Sequence, residues 1–278
     1  MKTQSNFIVR TATGFIFVAV ILASMLSLES FAILCYILSI LTSNEYAKLL
    51  KKQGIVISDR KTGLSTLPVI AVFVVCYTQN FDWLWIFVSV FMLGLLATFS
   101  MELFHKRTNQ MQNVAYSFFS YFYITLPFAC LIYVYSKSPL FALALFAFVW
   151  MHDTFSYLVG IKFGKNKLFE RVSPKKTWEG FFGGLIATII AGFAFGYFIA
   201  DDIARIMDPY VIFKWVGMAI VVVIAGTFGD LFESLFKRSI EVKDSGTLLP
   251  GHGGLLDRLD SILFVAPAIT VYLMLVDW

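Results

Sequence analysis

Apolar residues in this chain gather into long runs separated by short polar segments. The runs at 12–28, 30–47, 64–78, 83–101, 115–135, 139–160, 180–200, 212–236 and 258–276 predict nine membrane spans, since about 20 consecutive apolar residues cross a bilayer as a helix. The shorter runs could tilt or pair as re-entrant elements. No internal repeat, low-complexity tract or soluble domain interrupts the pattern. It predicts an all-α polytopic membrane protein of about nine transmembrane helices, with a polar site at the cytoplasmic ends of the C-terminal ones. The chain reads as a single membrane domain over 1–278, with N-terminal helices in 1–140 and the chemistry in the helices and loops of 141–278.

Composition supports this. Of 278 residues, 59% are hydrophobic and only 14% charged, whereas a soluble domain carries about a quarter charged residues. Thirty phenylalanines suit lipid-facing helices. Cys35, Cys76 and Cys130 lie scattered in apolar runs without metal-ligand spacing, so they read as buried, reduced thiols. Lys2 and Arg10 precede the first run as they would in a signal peptide. No clear small-residue cleavage site follows, so that run reads as a retained span.

Charge placement sets an orientation. Seventeen of the 22 lysines and arginines fall after runs two, four and six and between runs eight and nine. With nine spans these four segments share one side, which the positive-inside rule makes cytoplasmic. The N-terminus then lies outside, an assignment that Lys2 and Arg10 argue against.

Unusual polar residues gather in two stretches. In Trp150-Met-His-Asp-Thr-Phe-Ser-Tyr157, ionisable groups enter an apolar run, where they are costly and usually face a cavity or a partner. Asp153, Ser156 and Tyr157 share one helix face by spacing, as a polar cavity wall or as an interhelical hydrogen-bond set. His152 reads equally as a satisfied core histidine. Ser173-Pro-Lys-Lys-Thr-Trp-Glu-Gly180 follows. Ser173 before Pro174 predicts an N-cap and a first helical residue. Lys175, Lys176 and Thr177 at such a helix start would bind an anion, or the segment is a solvated basic loop that only sets topology.

The second stretch runs from Gly229 to Ser261. Asp230, Glu233, Ser234 and Lys237 form one polar stripe on an otherwise apolar helix. Asp257, Asp260 and Ser261 repeat that spacing at the start of the last run. Carboxylates and hydroxyls from two helices make a hard-oxygen donor set that suits Mg²⁺, completed by water and phosphate oxygens. The alternative is buried salt bridging, for example of Asp257 or Asp260 with Lys237 or Arg238. Between the helices, Gly251, Gly253 and Gly254 surround His252 in a turn whose N–H groups could approach phosphate. Lys243, Asp244 and Arg258 flank it. Walker-type phosphate loops, GxGxxG, HExxH and Asp-Gly-x-x-Ala-Arg are absent, which argues against the enzyme classes they mark.

Taken together, Ser234-Leu-Phe-Lys-Arg, Lys243-Asp244 and His252-Gly-Gly-Leu-Leu-Asp-Arg-Leu-Asp260 closely resemble the signature of phosphatidate cytidylyltransferases, or CDP-diacylglycerol synthases. The 173–180 segment and the Asp153 region are similar to that family too, so the resemblance covers about 150–261. It implies a Mg²⁺-dependent transfer of CMP from CTP to phosphatidate, releasing pyrophosphate, in phospholipid biosynthesis. It implies Asp230 and Asp257 as metal ligands, with Ser234 and Asp260 beside them for a second cation. Lys175, Lys176, Lys237, Arg238 and Arg258 would hold phosphate groups. The three glycines would line the nucleotide, with Asp153, Thr177, Lys243, Asp244 and His252 around the substrates. A homodimer in the inner (plasma) membrane, with its site facing the cytoplasm and no nucleic-acid partner, completes what the resemblance implies. A CTP-dependent polyprenol or lipid kinase is the alternative, distinguished by its product. An ion-coupled transporter fits less well, because the acidic groups cluster at one edge beside a basic loop.

Overall fold

The computed structural model describes residues 2–57, 64–80, 84–198, 209–242, 244–246, 248, 253–276 and 278, of which 2–10, 64 and 209 are described by their backbone alone. The chain is overwhelmingly helical. Its helices are α1 (Lys2–Ser24), α2 (Leu28–Lys51), α3 (Leu67–Thr78), α4 (Leu84–Phe104), α5 (Gln110–Ser120), α6 (Leu126–Lys137), α7 (Pro139–Phe163), α8 (Trp178–Phe198), α9 (Pro209–Ser239) and α10 (Leu256–Leu275). Two short strands, β1 (Lys167–Phe169) and β2 (Ser173–Thr177), pair antiparallel between α7 and α8. Among the described residues six helical segments are long and apolar enough to cross a membrane: Leu84–Phe104, Gln110–Lys137, Pro139–Phe163, Trp178–Phe198, Tyr210–Ser239 and Leu256–Leu275. Thr11–Ser24 and Leu67–Thr78 are shorter apolar helices. The run expected at 12–28 ends earlier, because the chain turns at Met25–Ser27 and Ser27 caps α2 through a reciprocal bond with Ser30.

The chain forms two compact units. Met1–Pro139 and Ser239–Leu259 make the first. There α3 packs on α6, α4 and α2, and α2 also packs on α6. α5 runs into α6 through a π turn at Tyr121–Thr125, where Leu126 N–H reaches back to Tyr121 O. Pro127, which cannot donate, follows at once, and such wide turns commonly accompany a break in the helical ladder. Thr125 Oγ1 donates to Ser65 O at 2.6 Å, and Tyr135 stacks on Phe31 at 4.7 Å. Cys35, Cys76 and Cys130 are buried free thiols, as expected.

Leu140–Arg238 and Asp260–Trp278 make the second unit. α8 buries Gly180, Gly184, Thr188, Gly192 and Gly196, one small residue per turn on one face. That face lets backbones approach, the usual device of helix packing in lipid. A Cβ on Gly180 would stand 2.7 Å from Ser156 O and 3.3 Å from Gly160 Cα. Farther along, Phe195, Trp215, Phe141 and Trp278 interlock by edge and tilted ring contacts.

One local expectation is overturned. Ser173 is not an N-cap and Pro174 does not open a helix: Ser173–Thr177 is strand, with Lys167 opposite Thr177 and Phe169 opposite Ser173. The helix starts at Trp178, and Thr177 caps it by accepting the Gly180 N–H at 3.2 Å. Both serine and threonine satisfy the cap rule. Pairing with β1 keeps 173–177 extended, so the second candidate caps the helix.

Candidate functional site

α7, the hairpin, α8 and α9 enclose a cavity of about 600 Å³ within the second unit. Its lining includes His152, Asp153, Ser156 and Tyr157 from α7, Lys175, Lys176 and Thr177 from β2, and Asp230 from α9. The spacing on α7 brings its four polar residues to one wall. The hairpin is fastened to the start of α8 by Glu179, whose carboxylate accepts from Lys165 N at 3.1 Å and Asn166 Nδ2 at 2.7 Å. That clasp places Lys175 and Lys176 at the cavity.

Lys176 Nζ lies 2.5 Å from Asp230 Oδ2, with both side chains about one-third exposed. Asp230 Oδ1 also receives the Ser234 hydroxyl at 3.4 Å, one helical turn on. Asp153 and Asp260 lie within electrostatic reach of Asp230, of each other and of Lys176. Three carboxylates thus share the influence of one ammonium, a local excess of negative charge built from hard oxygen donors. His152 is buried, and its Nε2 is 3.2 Å from Thr227 Oγ1. The Thr227 hydroxyl is 2.8 Å from Val223 O as donor, so Nε2–H is the donor to Thr227. Ser156 Oγ stands 3.4 Å from the same ring.

Among the described residues, no three His, Cys, Asp or Glu side chains are grouped closely enough to hold a metal ion unaided. Mg²⁺ fits such a donor set, because it takes one or two protein carboxylates and fills its octahedron with water and phosphate oxygens.

Other residues singled out in the sequence have different surroundings. Lys237 lies 2.5 Å from the fully buried Glu233, so the stripe on α9 contains its own ion pair. Arg238, Asp244 and Arg258 are exposed. Asp257 belongs to the first unit, where its Oδ2 accepts from Ser245 N and Gly254 N, both at 3.0 Å. Gly253 has φ +89°, a left-handed conformation suited to glycine. Lys243, Gly251 and His252 lie outside the described residues. Glu45, on α2, escaped the reading from sequence. It is buried in the first unit and accepts from Leu256 N at 2.9 Å. A carboxylate inside an apolar run was the signal that could have found it.

The sequence pattern of the cytidylyltransferase family matches residues 8–276. The chain is similar to the phosphatidate cytidylyltransferase of Staphylococcus aureus, 38% identical over 169 residues, which are 61% of this chain and 62% of that protein. That of Thermotoga maritima is 43% identical over 126 residues, 45% of this chain and 46% of the relative. That of Staphylococcus epidermidis is 35% identical over 187 residues, 65% of this chain and 68% of the relative. The chain therefore spans about 62% of the length of the Staphylococcus aureus relative that it matches.

Proposed function

The chain belongs to the cytidylyltransferase family, and from that premise we propose that it transfers CMP from CTP to phosphatidate, forming CDP-diacylglycerol and pyrophosphate. The names of its relatives support this substrate pair. The observation that carries it is the cavity, lined by Lys175, Lys176, Asp153 and Asp230, in which Lys176 pairs with Asp230.

In this reaction an oxygen of the phosphatidate phosphate attacks the α-phosphorus of CTP. A new P–O bond forms while the bond to the β-phosphate oxygen breaks, and pyrophosphate carries off the electron pair. The nucleophile is already an anion, so no strong base is required. The barrier is the approach of two polyanions, which fixed positive charge lowers. Lys176 and Lys175 supply such charge at the cavity wall, and the Thr177 and Ser156 hydroxyls offer neutral hydrogen bonds. Asp230 and Asp260, with Ser234 and Asp153 beside them, would hold Mg²⁺, which when bound neutralises phosphate charge and steadies the leaving oxygen. Asp257 is the further ligand that the family resemblance implies. Gly251, Gly253 and Gly254 would line the nucleotide phosphates, with Lys243, Asp244 and His252 around them. Arg238 and Arg258 would add positive charge for phosphate, and Lys237 would do so only on leaving Glu233.

The same reading has nine spans, a single membrane domain, a homodimer in the plasma membrane and a cavity open to the cytoplasm. The family match along nearly the whole chain supports one domain. The concentration of lysine and arginine on one side supports the orientation. Acyl chains would stay in the bilayer while the headgroup enters.

The test is incubation of the purified protein with labelled CTP, Mg²⁺ and phosphatidate, followed by identification of both products. CDP-diacylglycerol and pyrophosphate in equal amounts are expected. Release of CDP with a newly phosphorylated lipid would overturn the assignment.

A further inference from the structure

Glu45 sits on α2, about 200 residues before the glycine-rich turn, yet it is the group around which the described parts of that turn close. Its side chain is buried. One carboxylate oxygen accepts the Leu256 N–H at 2.9 Å, and the other accepts the Ser245 hydroxyl at 3.2 Å. A Cβ added to Gly246 or Gly254 would collide with the same carboxylate. Asp257 works from the other side, drawing Ser245 N and Gly254 N together at 3.0 Å each. All these residues lie in the first unit. Two carboxylates therefore fold the ends of one glycine-bearing segment toward each other. A buried carboxylate is costly unless hydrogen-bonded, and both Glu45 oxygens are, so its burial is sustained by the turn whose donors it gathers.

We infer that Glu45 is a positioning residue for CTP: by tying Ser245 and Leu256 to one carboxylate it holds the 244–246 and 253–257 segments in the shape in which they line the nucleotide phosphates. This rests on the proposed reaction, in which that turn lines the triphosphate. Glu45 does not touch substrate and acts through the turn.

The test uses amide hydrogen exchange together with steady-state kinetics on the full chain. In Glu45→Asp the carboxylate is one methylene too short to reach both donors. Exchange at Gly254 and Leu256 should then accelerate roughly tenfold, the scale of one lost buried hydrogen bond, while amides of α2 before Thr42 stay unchanged. The KM for CTP should rise by about the same factor, with kcat and the KM for phosphatidate within about twofold. Glu45→Gln should restore both, since its amide oxygen can take the Leu256 N–H and Ser245 can turn to accept from its amide nitrogen. Unchanged exchange in Glu45→Asp overturns the inference, as does faster exchange without a change in the KM for CTP. Equal loosening of α2 and the turn overturns it too, because Glu45 would then serve the fold at large. If Glu45→Asp does not fold, Ser245→Ala asks the same question from the turn. It should speed the same amides at least threefold or so, and no acceleration overturns the inference. Absence of CDP-diacylglycerol from the wild-type protein would instead remove the proposed reaction, leaving the exchange result to stand separately.

Discussion

Lys176 Nζ and Asp230 Oδ2 stand 2.5 Å apart at the cavity wall, joining strand β2 to helix α9. Both side chains keep about 30% of their surface open. A pair this exposed contributes little to stability, on the order of 0–1 kcal/mol. In the proposed site it would hold two functional groups in register without substrate. In the proposed reaction each would take a stronger partner once a triphosphate and its metal arrive: phosphate for the ammonium, cation for the carboxylate.

Asp230→Asn follows directly. The amide keeps the shape but loses the charge that a divalent ion needs. CDP-diacylglycerol formation should fall by at least about 10²-fold, while the melting temperature in detergent moves by only a few degrees at most. Near-normal turnover in the folded variant would remove Asp230 from the metal site.

Lys176→Met separates two roles of the ammonium. Loss of a cation from the phosphate site should lower kcat/KM for CTP by roughly 10²-fold. The same change removes the positive charge that would compete with metal at Asp230 in the proposed site. The Mg²⁺ concentration for half-maximal activity should therefore fall, not rise. A Mg²⁺ titration at saturating CTP checks the sign.

Thr177→Ala removes the hydroxyl that accepts the Gly180 N–H at the start of α8. Loss of such a cap costs about 1 kcal/mol, so thermal unfolding should shift down by a few degrees. Thr177→Ser should recover most of it. An unchanged melting temperature in the alanine variant would mean that the cap is replaced by another acceptor.

Gly180→Val tests the close approach of α8 to α7. Its branched side chain would meet Ser156 O and the backbone at Gly160. Overpacking of this kind costs about 1–3 kcal/mol. Because Ser156 also lines the cavity, activity and stability should fall together. Loss of activity with an intact melting curve would place the role of Gly180 in chemistry instead.

Much of the candidate site was legible because its spacing is local. Asp153, Ser156 and Tyr157 on one helix face, and Asp230 with Ser234 one turn later, follow from helix geometry alone. Partner choice was not legible. The sequence offered Lys237 and Arg238 to the acidic residues of the last helix, whereas Lys237 takes Glu233 on its own helix. Asp230 takes Lys176 from a strand more than fifty residues away. That strand was itself unreadable, because Ser-Pro followed by lysines satisfies a helix-start rule, and only pairing with Lys167–Phe169 outweighs it.

By itself, the sequence determined the apolar helices, the gathering of rare charges in their C-terminal part and the glycine-rich turn, since runs, periodicity and backbone freedom are properties of neighbouring residues. Only the tertiary structure decided that α2 sends Glu45 to that turn, that Thr177 rather than Ser173 caps α8, and that Lys176 meets Asp230 while Lys237 meets Glu233. Those outcomes depend on which groups, distant in sequence, must satisfy one another's buried hydrogen bonds and charges, and local spacing carries no record of that.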